Sequence, residues 1–149
     1  MSDFDLRPGE IAVATPDHTD ADVYFIGRIR TPWQTRQDCP KRGDRNGPEC
    51  RLELDPRWRD ALTGLDSHPR IQVLYWMHEA RRDLVLQTPR GRTAPTGTFA
   101  LRSPVRPNPI ASSVVDVVSI EGTTIRVRGL DCLDGTPLVD IKPHRPFND

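Results

Sequence analysis

At 149 residues the chain is long enough for one domain with a full hydrophobic core. Its 21 Lys and Arg balance 21 Asp and Glu, and a formal net charge of zero excludes a generally basic nucleic-acid binder; any RNA-binding face must be a local patch. No apolar run approaches the ~18 residues of a membrane helix, and the first residues, Met1 to Asp5, show no secretory leader, so no membrane segment is expected and the expected compartment is the cytoplasm.

With 15 Pro and 10 Gly the chain is turn-rich, which favours short strands over long helices. Lys occurs only at Lys41 and Lys142; the other cations are Arg, suited to bidentate contacts with phosphate and carboxylate. Cys39, Cys50 and Cys132 are odd in number and lack metal-ligand spacing, so reduced thiols are expected, with no disulfide framework and no metal.

In chain order, residues 1–21 are acidic and turn-prone and read as an N-terminal extension, with a short strand near Ile11 to Thr15. Asp22 to Arg30 reads as a strand stopped by Thr31-Pro32, and Gly27 within it marks a bulge or a close backbone approach. Gln34 to Glu49 is a long polar loop, either functional or an insertion without fixed structure. Cys50 to Leu54 forms a short strand. Asp55-Pro56 then opens one short helix, with Asp as cap and Pro at its first position, that Gly64 ends. Trp58, Ala61, Leu62 and Leu65 form its apolar face, expected in the core. Arg70 to His78 is the strongest apolar run and reads as a buried strand, with Tyr75 and Trp76 as core or rim aromatics. Leu84 to Gln87 is a further strand, Thr88 to Thr96 a loop, and Gly97 to Leu101 a strand. Arg90 and Arg92 on that loop have the composition of ordinary solvated arginines, and also fit phosphate contacts.

Gly97 to Asp149 organises the rest. Ser113 to Ser119, a turn at Glu121-Gly122, and Thr123 to Arg128 make a β-hairpin. Two dense motifs flank it. In the first, Arg102-Ser103-Pro104-Val105-Arg106-Pro107-Asn108-Pro109, the prolines remove donors and fix φ, so the segment is a stiff extended loop carrying Arg102, Arg106 and Asn108. Such a loop offers a cationic fork to an anion at low entropic cost, although a surface connector with solvated arginines has the same composition. In the second, Asp134 to Pro143, Asp140 and Lys142 are two apart in an extended segment, as are Lys142 and His144, so all three share a face.

The strings RSPVRPNPI and LDCLDGTPLVDIKP, with Ile26-Gly27-Arg28-Ile29-Arg30-Thr31-Pro32-Trp33 and Val73-Leu74-Tyr75-Trp76-Met77-His78, closely resemble the TsaA-like (YaeB-like) family. The resemblance runs from about Tyr24 through Lys142-Pro143. It implies an all-β fold, a small and mostly antiparallel barrel with one short helix and long functional loops, over residues 22–149. It further implies an S-adenosylmethionine-dependent tRNA methyltransferase, usually a homodimer, acting on N6 of N6-threonylcarbamoyladenosine beside the anticodon. It places cofactor contacts at Cys39, Pro40 and Lys41, and at His78 and Glu79. Arg102 would make a charged cofactor contact; Ser112 and Arg128-Gly129-Leu130-Asp131 would surround the adenosine, with Asp131 accepting from a ribose hydroxyl or an amino group.

Arg106 and Asn108, with Arg90 and Arg92, are the candidates for substrate contact. Methyl transfer is an in-line displacement in which orientation supplies much of the rate. The ureido-like acceptor nitrogen is poorly nucleophilic, so a nearby base would help. Asp140 would orient the acceptor or act as base, Lys142 would bind the threonyl carboxylate or a phosphate, and His144 would complete the wall. Three departures from the family pattern stand out. His144 replaces the usual Tyr, Ala111-Ser112-Ser113 replaces Gly-Leu-Ser, and the sequence ends at Asp149, where members with this activity often carry a further domain that aids tRNA binding. A methyltransferase of a small molecule and a non-catalytic cofactor- or nucleotide-binding module are the alternatives.

Overall fold

The computed structural model describes residues 5–147. The strands are β1 (Ile11–Ala12), β2 (Gly27–Arg30), β3 (Glu49–Leu54), β4 (Arg70–Trp76), β5 (Leu84–Gln87), β6 (Thr96–Gly97), β7 (Ile110–Glu121), β8 (Thr124–Arg128) and β9 (Thr136–Pro143). Six of them close a barrel in the order β2-β3-β8-β7-β4-β9, with β9 pairing back onto β2. The β2–β3, β3–β8, β7–β8, β4–β9 and β2–β9 pairs are all antiparallel. The expected all-β, mostly antiparallel barrel is therefore what the chain builds.

The chain divides into two compact units, one formed by residues up to Asp22 with Met77–Ala111, the other by Val23–Trp76 with Ser112–Asp149. The second unit is the barrel. Strand alternation fills it: Ile71, Val73 and Tyr75 of β4, Ile125 and Val127 of β8, Leu52 of β3, Ile29 of β2 and Leu138 of β9 are all buried. In the first unit, β1, β5 and β6 make a three-stranded sheet. Glu10 ties its edge: the carboxylate accepts from the Arg7 and Thr88 amides.

Several sequence boundaries move. The strand expected from Asp22 begins only at Gly27, because Val23, Tyr24 and Phe25 stay exposed. Gly27 is needed for close approach: a Cβ there would run into the Glu53 carbonyl across the ladder. The hairpin turn falls at Gly122-Thr123, one residue later than expected, with Gly122 at φ 62°. Gly97 to Leu101 is not a strand: after Thr96–Gly97 the chain coils into a 3-10 turn, Thr98–Ala100, with the Thr98 hydroxyl donating to the Leu84 carbonyl. The strand Arg70 to His78 ends at Trp76 and is buried on one face only.

The expected helix is the 3-10 segment Pro56–Leu62, the only helical stretch longer than three residues among the described ones. Asp55 caps it as anticipated, accepting from the Arg57 amide at 3.0 Å. Its apolar face does not enter the core: no residue of this helix is buried, and Leu65 is only half-buried. With three residues per turn the 3-10 geometry spreads apolar positions around the axis, so they line an open cavity instead.

Candidate functional site

Within the barrel unit, the polar centre is Tyr75. It sits on the inward face of β4, 2% exposed, where a phenol must find partners. Its hydroxyl lies 2.8 Å from Ser113 Oγ on β7 and donates to Asp131 Oδ1 at 3.0 Å. Burial, then the adjacent Asp131 charge, pushes this phenol far above its ordinary range, so it stays a neutral donor. Asp131 follows β8 through Gly129, at φ 118°, and the buried Leu130. That left-handed φ turns the chain where a side chain would be strained.

The long loop before β3 packs onto this same segment. A Cβ on Gly43 would strike the Gly129 carbonyl, and Arg128 donates to the Gly47 carbonyl at 2.9 Å. Arg45 and Arg70 both donate to the Asp116 carboxylate on β7. The two hydrogen bonds, led by that from Arg45, hold Asp116 below the usual carboxylate range. Cys39, Pro40 and Lys41 lie in this loop; Cys39 ends a 3-10 turn with its thiol toward the Thr35 carbonyl, and Pro40 and Lys41 are exposed. Buried Cys50, pushed up to about 11, and buried Cys132, pushed higher still, are thiols that desolvation keeps protonated.

Ser112 is on the opposite face of β7 from Ser113 and accepts from Gln72 at 2.9 Å. Gln72 is paired with Lys142 across the β4–β9 ladder, and Asp140 with Leu74. The expected sharing of a face by Asp140 and Lys142 is seen directly: Lys142 Nζ lies 3.6 Å from Asp140 Oδ2. His144 lies beyond the end of β9, half-buried, its amide donating to the Arg70 carbonyl.

In the other unit, His78 and Glu79 are exposed on a turn closed by the Ala80 amide on the Met77 carbonyl. Arg90 and Arg92 flank Gly91, at φ 77°, at the tip of an exposed turn. Arg102 is exposed on the proline loop. Arg106 turns back along that loop and donates to the Leu101 and Ser103 carbonyls, while Asn108 accepts from Arg82. Gln87 and Arg82 clamp the loop further through the Val105 and Pro107 carbonyls. The loop is thus stiff, as its prolines require, and Arg106 is one reason for it.

Three features escaped the sequence: Tyr75 as the hub of a hydrogen-bonded cluster, the Gly43–Gly129 contact, and the cavity beside the 3-10 helix. A buried tyrosine beside a Ser-Ser pair in a neighbouring strand was the available signal for the first. Among the described residues no group of three or more His, Cys, Asp or Glu is placed to hold a metal ion, and no helix is long and apolar enough to cross a membrane.

The model of the tRNA-methyltransferase O N-terminal domain matches residues 28–149, which takes in every barrel strand except the first residue of β2. The chain belongs to the tRNA-methyltransferase O N-terminal domain family. It is 52% identical over 143 residues to a probable S-adenosyl-L-methionine-binding protein, VirR, of Rhizobium radiobacter, covering 96% of this chain and 82% of that protein. It is 34% identical over 134 residues to the tRNA (adenine(37)-N6)-methyltransferase of Escherichia coli, covering 82% of this chain and 57% of that enzyme. The crystal structure of TrmO from Pseudomonas aeruginosa superposes with a TM-score of 0.70 at 33% identity, over 86% of this chain and 57% of that one. The chain therefore spans a little over half the length of these last two proteins.

Proposed function

We propose that this tRNA-methyltransferase O-type barrel binds S-adenosylmethionine and methylates tRNA, at N6 of N6-threonylcarbamoyladenosine beside the anticodon. The observation that carries the proposal is the family match over nearly the whole barrel, residues 28–149. The relatives named for the cofactor and for adenine(37) N6-methylation support it.

The residues present fit the cofactor's nucleoside. Asp131 is a carboxylate held in place by the Tyr75 hydroxyl, suited to accepting from a ribose diol or an amino group. Arg128 is fixed by the Gly47 carbonyl, and the Gly129–Leu130 backbone is packed against the preceding loop. S-adenosylmethionine supplies an electrophilic methyl group on a sulfonium. The chain's part is to hold the acceptor in line and manage its proton. Asp140, beside Lys142, is the group proposed to take or orient the acceptor N–H, and Lys142 to bind the threonyl carboxylate. Arg90 and Arg92 are proposed to meet tRNA phosphates, His144 to complete the β9 wall, and the protein to act as a homodimer in the cytoplasm.

The test is incubation of the protein with methyl-labelled cofactor and tRNA, followed by mass spectrometry of anticodon-loop nucleosides. Label on N6-threonylcarbamoyladenosine is expected, and its loss in Asp140→Ala and Lys142→Ala. Cofactor binding without label in any tRNA nucleoside would instead make this a binding module; labelling of small acceptors alone would make it a small-molecule enzyme. Wild-type rates in both variants would remove the β9 wall from the mechanism.

A further inference from the structure

Residues 7–10 precede the stretch that the family match covers, yet they hold a residue inside it. Thr88 is 7% exposed, and its amide, carbonyl and hydroxyl all bond to this distant segment. The amide donates to Glu10 Oε2 at 3.0 Å, the carbonyl accepts from Arg7 Nη1 at 3.0 Å, and the hydroxyl donates to the Pro8 carbonyl at 2.7 Å. The other Glu10 oxygen accepts from the Arg7 amide at 2.8 Å, and the Glu10 amide donates to the Arg7 carbonyl, which closes the segment into a turn. Gly9, at φ 84°, seats that turn closely: a Cβ there would stand 3.4 Å from both the Thr88 hydroxyl and Pro95 Cγ. Beyond the turn, β1 pairs with β5, and the Val13 amide donates to the Asp83 carbonyl at 2.8 Å.

Thr88 and Pro95 are the two ends of the connection between β5 and β6, the loop that carries Arg90 and Arg92. Between them the Arg92 amide donates to the Pro89 carbonyl at 3.0 Å, and Gly91 takes φ 77°, so both arginines stand on one exposed turn. The segment adds little to a core: Leu6, Ile11 and Val13 are each about half exposed. Its polar contacts converge on the root of the arginine turn instead. A surface loop is ordinarily mobile, and ordering its side chains on a partner opposes binding. A root fixed in advance lowers that cost.

We infer that residues 7–10 are a positioning clamp for tRNA: Glu10 and Arg7 act through Thr88 to present Arg90 and Arg92 to the phosphate backbone. The inference rests on the reading that those two arginines meet tRNA phosphates. It gives the acidic N-terminal segment a part in substrate binding although that segment touches no RNA. Glu10 is a positioning residue here, and its carboxylate serves by accepting two backbone amides at once.

Two variants of the full chain test this. Glu10→Gln sets a side-chain amide against a backbone N–H, and Thr88→Val keeps the branched shape but loses the hydroxyl. Trypsin cutting after Arg90 and Arg92, mapped by mass spectrometry, reads the order of the turn directly. It should be about tenfold faster in both variants. Filter binding of tRNA should weaken about tenfold in Glu10→Gln, with S-adenosylhomocysteine affinity unchanged. In an Arg90→Ala/Arg92→Ala background the same Glu10→Gln change should weaken tRNA binding no further, because its effect runs through the arginines. A merely stabilising segment would give additive losses in that cycle, and additivity overturns the inference. Parental cutting rates in both variants overturn it as well. The two readings fail separately. Weaker binding in the double arginine variant but not in Glu10→Gln removes the clamp alone. Parental tRNA affinity in the double arginine variant removes the phosphate-contact reading, and the clamp's role in tRNA binding with it.

Discussion

Tyr75 shows how one buried hydroxyl can organise a site. Its ring is core and its oxygen joins two strands' worth of polar groups, Ser113 on β7 and Asp131 after β8. Tyr75→Phe keeps the ring and removes the donor, which leaves the Asp131 carboxylate short of one partner. The expected loss is about 1–3 kcal/mol of stability, read from denaturant unfolding. If Asp131 holds the cofactor's nucleoside, S-adenosylhomocysteine binding by calorimetry weakens in the same variant. Unchanged affinity would mean that the cluster only supports the barrel. Asp116 offers a residue-scale test with a sign. Its folded-state carboxyl lies below the ordinary range because Arg45 and Arg70 favour the charged form. A lowered folded value means that its stabilisation is full above the unfolded-state pKa and vanishes as pH falls through the folded one. Asp116→Asn should therefore be less stable than the parent near neutral pH, by no more than about 1 kcal/mol for each largely exposed ion pair. The gap should close in acid and narrow in high salt, and thermal melts across a pH series would show it.

At the scale of elements, the loop of residues 34–48 is held to the segment after β8 by close backbone contact, and this makes a separable prediction. Gly43→Ala drives a methyl group into the Gly129 carbonyl. The strands lie elsewhere, so the loop should shift while the barrel keeps its melting temperature. Cofactor affinity should fall if Cys39, Pro40 and Lys41 contribute to binding; a variant with parental affinity would detach that loop from the cofactor. The same elements show what the sequence could and could not disclose. The hairpin β7–β8 was legible because β-branched alternation and a glycine turn are local signals, wrong only by one residue at the turn. The helix cap was legible for the same reason. The helix face was not: Trp58, Leu62 and Leu65 have the composition of a core, and only the tertiary arrangement decides that they line a cavity. Likewise, β2 starts late because Val23, Tyr24 and Phe25 find no ladder partner, a fact about β3 and β9 and not about those residues. The proximity of Asp140 and Lys142 followed from spacing of two along one strand. Tyr75 did not, since its partners are 38 and 56 positions away.

At the scale of the molecule, the balance of 21 cations and 21 anions sets how tRNA can be held. A neutral protein gains little from long-range attraction, so phosphate contacts must come from local arginines. The exposed turn bearing Arg90 and Arg92 is such a place, raised on Gly91 and distant in composition from the acidic N-terminal stretch. Each phosphate that a cation neutralises releases counterions, and log K falls with log salt in proportion to the number of contacts. If both arginines meet the backbone, Arg90→Ala and Arg92→Ala should each flatten that slope by about 1, uniformly across tRNA species, with S-adenosylhomocysteine affinity unchanged. If they are solvated, the slope will not move. The distinction matters because this chain spans 57% of the Escherichia coli enzyme it resembles. A shallow slope in the parent protein would mean that the barrel recognises its acceptor mainly through the modified base. A steep slope abolished by the two substitutions would mean that the barrel itself grips the tRNA backbone.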